Sequence, residues 1–103
     1  MTPQEFVQKW GEVDRNQTSF EEELELVEDA FNMYEETGFS DTFHTPFEEM
    51  AKYNGKPFKV VGRVSYVNDD VDLEYLPQWK IVFDEDDYIE AFPEEICKIE
   101  LNV

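Results

Sequence analysis

Apolar residues in the first half of the chain recur at helical spacing and predict helices. The longest helix is expected from Phe20 to Thr37, because apolar residues there recur in steps of three and four and Gly38 follows as a stop. Ser19 and Glu22 form a capping box at its start. The apolar stripe of this helix consists of Phe20, Leu24, Val27, Phe31 and Tyr34.

Two shorter helices are predicted by Thr-Pro-x-Glu sequences, which combine a capping box with proline at the first helical position. The first begins after Thr2, places Phe6, Val7 and Trp10 on one face, and can end at Gly11. The second begins after Thr45 and is expected to end within residues 53–55. The first 54 residues are therefore predicted to be mainly helical.

From residue 56 the apolar period changes to two, which predicts β-strands. A strand of about ten residues is expected over 58–67, with Gly62 in its middle as a bulge or bend. A hairpin follows, in which residues 79–83 and 88–92 pair across an acidic turn at 84–87. Residues 93–95 are predicted to form a turn, and residues 71–76 and 96–103 further strands.

Together these patterns predict an α+β fold in a single domain, residues 1–103, with residues 55–103 mainly β. The helices should pack on a small, bent, antiparallel β-sheet or SH3-like barrel. Four or five short strands with a glycine bend resemble the SH3-like and Tudor-like barrels, a resemblance of pattern that assigns no binding residues. The long-helix stripe is expected to face Val60, Val64, Trp79, Ile81 and Phe83.

The charge of the chain is its most unusual property. Twenty-six Asp and Glu against eight Lys and Arg give a net charge of −18. This balance disfavours direct binding to nucleic acid or anionic membrane and favours basic protein surfaces. An aromatic content of 16% is too high for a disordered acidic tail. A single cysteine and no basic-apolar leader indicate a cytoplasmic protein.

Catalytic chemistry is poorly represented, so we expect a protein that is not an enzyme and holds no cofactor. His44 and Cys97 are the only residues of their types, and their positions do not suggest a nucleophile and its base. Asp70, Asp72 and Glu74 alternate like the ligands of calcium loops, but the glycine and glutamate of an EF-hand are missing. Weak calcium binding therefore stays open as an alternative, and zinc is not expected.

In size, charge and aromatic content the chain resembles the small acidic proteins that bacteriophages use as nucleic-acid mimics, such as anti-CRISPR and anti-restriction proteins. The resemblance implies an inhibitor that binds a basic nucleic-acid-binding protein, such as a nuclease or a CRISPR-Cas effector. An acidic adaptor that binds proteins through its barrel is the alternative. Carboxylates along a helix can match phosphate spacing. The partner-binding residues are predicted to be Glu21, Glu25, Glu28, Asp29, Asp69, Asp70, Asp72, Asp84, Glu85, Asp86 and Asp87.

Overall fold

The computed structural model describes residues 1–84 and 88–98. Glu85, Asp86 and Asp87, and most of the strand predicted over 96–103, lie outside the described residues. The helices are α1 (Pro3–Trp10), α2 (Phe20–Thr37) and α3 (Pro93–Ile96), with 3-10 helices at Glu48–Tyr53 and Leu73–Tyr75. The strands are β1 (Lys59–Arg63), β2 (Trp79–Val82) and β3 (Ile89–Ala91). The predicted α+β class is confirmed.

The first two helices begin and end where the sequence predicts. The side chains of Thr2 and Ser19 each accept a hydrogen bond from the backbone N–H of the glutamate three residues later. The carboxylate of that glutamate accepts in turn from the backbone N–H of Thr2 or Ser19, so both capping boxes are present. Gly38 ends α2 at φ 103°, in a region of backbone space that favours glycine. These ends depend on local chemistry alone, which is why the sequence predicts them well.

The capping box predicted at Thr45 is wrong. The Thr45 hydroxyl accepts from the backbone of Phe47 at 3.3 Å, two residues on, while the Thr45 backbone donates to the Asn54 side chain at 2.7 Å. These bonds hold Thr45 in a turn, so the helix starts at Glu48 without a side-chain cap and winds as a 3-10 helix. It ends at Tyr53, within the predicted limits.

The strands form one antiparallel sheet in the order β1-β2-β3. Val60 pairs with Ile81 and Gly62 with Lys80, which leaves Val61 as an extra residue and confirms the irregularity predicted at Gly62. β1 is half the predicted length, because the chain leaves the sheet after Arg63 and turns at residues 66–69. The hairpin of β2 and β3 is confirmed.

Three predicted features of the β half are corrected. Residues 73–75 form a 3-10 helix instead of a strand, because the backbone N–H groups of Tyr75 and Leu76 donate back to carbonyls three residues earlier. Pro93 begins the short helix α3 where a turn was expected, and Ile96 belongs to that helix. Cys97 makes an isolated bridge with Phe39. Among residues 1–84 and 88–98 the sheet has three strands. Of the two predicted alternatives, these residues therefore form the antiparallel sheet and not a barrel of four or five strands.

The core lies between α2 and the sheet, around Trp79, which is fully buried. Phe31, Tyr34 and Phe39 each meet its ring edge-to-face, with centroids 5.2 to 5.9 Å apart. The predicted packing on Trp79 is thus confirmed for Phe31 and Tyr34, and Val27 is buried in the same core. Leu24 is only partly buried, and Phe20 stays 58% exposed and contacts Tyr66.

Candidate acidic binding surface

Two carboxylates of α2 are used to hold the fold together. Asp29 accepts a hydrogen bond from the indole N–H of Trp10 at 2.9 Å and pairs with Lys9 at 2.9 Å. Glu35 accepts from the indole of Trp79 at 2.9 Å and pairs with the Arg63 guanidinium through both carboxylate oxygens, at 2.7 and 2.8 Å. α2 is therefore fastened to α1 on one side and to the sheet on the other by the same arrangement of carboxylate, indole and cation.

The electrostatics of these pairs follow from their contacts. The hydrogen bonds from Arg63 hold the pKa of Glu35 below its ordinary value, against the opposing effect of burial. Burial alone would raise the pKa of Asp29, but the bonds from Lys9 and Trp10 outweigh it, so this pKa is also lowered. Both carboxylates are therefore ionised near neutral pH and keep their cations engaged.

Most other acids of α2 also have internal partners. Glu25 pairs with Lys9 at 3.1 Å, and Glu28 pairs with Arg63 at 3.2 Å. Glu23 pairs with Arg15, Glu22 caps the helix and Glu36 pairs with the amino terminus. Of the four α2 acids predicted to face a partner, Glu25, Glu28 and Asp29 thus serve internal contacts. Of these four acids, only Glu21 forms neither an ion pair nor a side-chain hydrogen bond with another described residue.

The acids after β1 divide in the same way. Asp69 pairs with Lys80 at 2.9 Å and accepts from the backbone of Ser65 at 2.8 Å, so it organises its own turn. The side chains of Asp70, Asp72 and Glu74 are exposed and form neither ion pairs nor hydrogen bonds within residues 1–84 and 88–98. These three are the carboxylates of this segment that a partner can reach.

The start of α2 and residues 66–75 lie side by side. The rings of Phe20 and Tyr66 meet edge-to-face with centroids 5.8 Å apart, and Arg15 donates to the carbonyl of Leu73 at 3.5 Å. A shallow cavity of about 320 Å³ lies between Glu23 and residues 72–74. Glu23 of α2 thus lies beside Asp72 and Glu74 of the loop, although the two segments are far apart in sequence.

Exposed apolar side chains accompany the carboxylates at this end. Phe20, Val67 and Tyr75 are 58%, 67% and 53% exposed. We call the following residues together the acidic surface: Phe20, Glu21, Val67, Asp70, Asp72, Glu74 and Tyr75. It combines unpaired carboxylates with apolar groups large enough to be buried by a partner, and aromatic side chains such as Phe20 and Tyr75 are enriched at protein-protein interfaces.

The second acidic turn lies elsewhere. Residues 64–78 enter β2 at Trp79, whereas Asp84 follows its other end at Val82. Successive strand residues advance by about 3.4 Å, so at least the length of β2 separates the two acidic segments. A combined use of the helix acids and both turns therefore stays a prediction, and Asp84 lies at the opposite end of β2 from residues 64–78.

Sequence reasoning missed Phe20, Val67 and Glu74 as parts of this surface. Phe20 belongs to the apolar stripe by spacing, but it is the first residue of α2. Phe43 and Trp79 are fully buried, whereas Tyr75 is exposed.

The residues with reactive side chains show no paired arrangement. His44 contacts the Thr42 hydroxyl at 3.1 Å, and burial raises the pKa of the Cys97 thiol to about 12. Within residues 1–84 and 88–98, no three His, Cys, Asp or Glu side chains are grouped as metal ligands would be.

Among residues 1–84 and 88–98, no helix is both long and apolar enough to cross a membrane.

Cys97 is expected to be inert in the folded protein. Because its pKa is about 12, very little thiolate is present at pH 8, and thiolate is the form that attacks disulfide reagents. A chromogenic disulfide reagent should label Cys97 slowly in buffer and rapidly in denaturant. Labelling at the same rate in both conditions would contradict the burial of this thiol.

Comparison with known proteins gave no match among protein-family models, curated proteins or solved structures.

Proposed function

We propose that this protein is a non-enzymatic inhibitor that binds the basic nucleic-acid-binding surface of a partner and occupies it with carboxylates in place of phosphates. A nuclease of the host cell cytoplasm, such as a CRISPR-Cas effector, is the kind of partner expected. The observation that carries the proposal is the acidic surface, where carboxylates without internal partners surround exposed apolar side chains.

The division of the acids between internal and external roles supports this proposal. Of the eight cations in the chain, Lys9, Arg15, Arg63 and Lys80 pair with acids of α2 or Asp69. The carboxylates at Asp70, Asp72 and Glu74 contribute no such contact, yet they add to an already unfavourable net charge. Repulsion among like charges destabilises a compact state, so a group of unpaired acids beside exposed apolar side chains supports a binding role for this surface.

The apolar members of the acidic surface give the proposal a means of specificity. Carboxylates alone would attract any basic protein and would release it as salt rises. Phe20 and Tyr75 can be buried against a partner and would keep the complex together once charge has brought it into contact. Long-range attraction then sets the rate of association and apolar burial sets the rate of dissociation.

Competition with DNA tests the proposal directly. The purified protein is immobilised, incubated with bacterial lysate at low salt, and eluted with duplex DNA in one experiment and with salt in another. Proteins released by DNA should be nucleic-acid-binding proteins, and the nucleases among them should lose activity when the free protein is added. The proposal fails if DNA releases no nuclease, or if captured nucleases stay fully active.

Neutralising the acidic surface is expected to weaken binding to a nuclease identified in this way. The variant Asp70→Asn, Asp72→Asn, Glu74→Gln removes three charges without removing an internal contact, so its stability should be equal to or slightly above that of the parent, because like-charge repulsion falls. Affinity at 0.1 M salt is expected to fall about tenfold, mainly through the association rate. Surface plasmon resonance measures both rates.

The matched control removes three exposed acids on other elements: Asp41→Asn, Asp84→Asn, Glu94→Gln. It changes the net charge equally and should affect affinity much less. Equal losses in the two variants would show that total charge matters and the acidic surface does not. A larger loss in the control would place the site at Asp84 and the other end of β2.

A further inference from the structure

β3 forms an outer edge of the sheet. It pairs with β2 along one side, and no other strand of the described part of the chain pairs with its second side. The backbone groups that point to this side of a strand are a template for another extended chain. Such an edge on a small protein calls for an explanation, since exposed edges promote unwanted pairing.

An apolar groove runs along this edge. It has a volume of about 360 Å³ and lies between the 3-10 helix Glu48–Tyr53 and β3. Its lining includes Phe47, Met50, Tyr88 and Phe92. Phe47 and Tyr88 are 49% and 51% exposed, so the groove presents large apolar side chains to solvent. A strand added to β3 would place alternate side chains in it.

The charged residues of the groove are both acidic. Glu90 is exposed on β3, and Glu95 is only 5% exposed at the end of the groove. Glu95 accepts a hydrogen bond from the backbone of Phe92 at 2.9 Å, but no cation pairs with it among residues 1–84 and 88–98. A buried carboxylate ordinarily has a charged partner. The groove therefore offers a place for one basic side chain next to an apolar one.

We propose that this groove binds an extended segment of a partner protein as a fourth strand on β3, with an apolar side chain between Phe47 and Tyr88 and a lysine or arginine at Glu95. A basic segment is favoured because Glu95 has no cation partner among the described residues, whereas Glu90 lies opposite Lys80, which also lies over the Tyr88 ring. A second copy of this chain is a poor occupant, since each copy carries −18. The groove is separate from the acidic surface, and the inference does not require the DNA-mimic function.

A synthetic peptide tests this inference without knowledge of the partner. The probe is Lys-Ile-Lys-Phe-Lys-Ile-Lys, which alternates basic and apolar residues as a strand would. Its binding is measured by NMR titration of the whole protein at about 0.15 M salt, where the screening length is about 8 Å. Shifts should concentrate on residues 88–92 and 47–50, and exchange of β3 amide protons should slow on binding. The same peptide with alternate backbone nitrogens methylated keeps its charge but cannot complete a strand, and it should bind at least tenfold more weakly.

Variants separate this site from the proposed function. Glu95→Gln retains an acceptor for the Phe92 backbone but removes the charge, and it should weaken peptide binding about tenfold. The Asp70→Asn, Asp72→Asn, Glu74→Gln variant should bind the peptide nearly as well as the parent protein. Equal binding of the methylated peptide, shifts confined to the acidic surface, or a dimer in analytical ultracentrifugation would each overturn the inference.

Discussion

Trp79→Ala is expected to lower the free energy of unfolding by about 3–5 kcal/mol, the cost usual for removing a large buried aromatic side chain. The indole is fully buried, meets three aromatic rings edge-to-face and donates to Glu35. Its loss would leave a cavity between α2 and the sheet. It would also leave Glu35 with Arg63 as its only strong partner. Urea denaturation followed by far-ultraviolet circular dichroism measures the change.

Two further variants make this result specific. Trp79→Phe keeps an aromatic ring but loses the N–H donor, and it should cost about 1–3 kcal/mol because a buried hydrogen bond to a carboxylate is left unmade. Tyr75→Ala, at an exposed position, should stay within about 0.5 kcal/mol of the parent. A cost below about 1 kcal/mol for Trp79→Ala would contradict a core centred on this residue.

The second large effect concerns salt. If carboxylates take the place of phosphates, the association rate with a captured nuclease should fall about tenfold or more between low and high salt, as in other electrostatically steered pairs. Screening shortens the attraction from about 8 Å at physiological ionic strength to about 3 Å at 1 M. The dissociation rate should change much less, because apolar contacts with Phe20 and Tyr75 are insensitive to screening. Stopped-flow fluorescence resolves both rates.

The interpretation of the salt series depends on a control for stability. Salt also relieves repulsion within a chain of net charge −18, so the melting temperature is recorded at each ionic strength. An association rate that stays flat while the protein remains folded would end the mimic proposal. Binding would then be attributed to apolar contacts, as in an adaptor.

The parts of the fold that could be predicted are those set by local sequence. Capping boxes at Thr2 and Ser19 and the stop at Gly38 depend on residues within one turn, and the structure has them where expected. Thr45 carries the same motif, yet its backbone is held by Asn54 nine residues later, and a contact of this kind is invisible in a local pattern. The shortened β1 has a similar cause, since the chain leaves the sheet to form the turn that Asp69 organises.

The candidate site was harder to predict because acidity does not indicate whether a carboxylate is already paired. Glu25, Glu28 and Asp29 seemed as suitable for a partner as Asp70 and Asp72. Their cations come from α1 and β1, and only tertiary structure brings Lys9 and Arg63 to α2. The total charge can be counted from the sequence, but which carboxylates have no internal partner depends on how the chain packs.

The two indole-carboxylate contacts of α2 also provide optical probes of separate parts of the molecule. Trp10 reports on the attachment of α1, and Trp79 reports on the attachment of the sheet. In Trp10→Phe the remaining emission would follow the sheet alone, and in Trp79→Phe it would follow α1 alone. Because each substitution also changes stability, the fluorescence curve of each variant is compared with its own circular dichroism curve. Coincident curves indicate that the whole chain unfolds as one cooperative unit, and an earlier fluorescence change in Trp79→Phe indicates that the first helix detaches first.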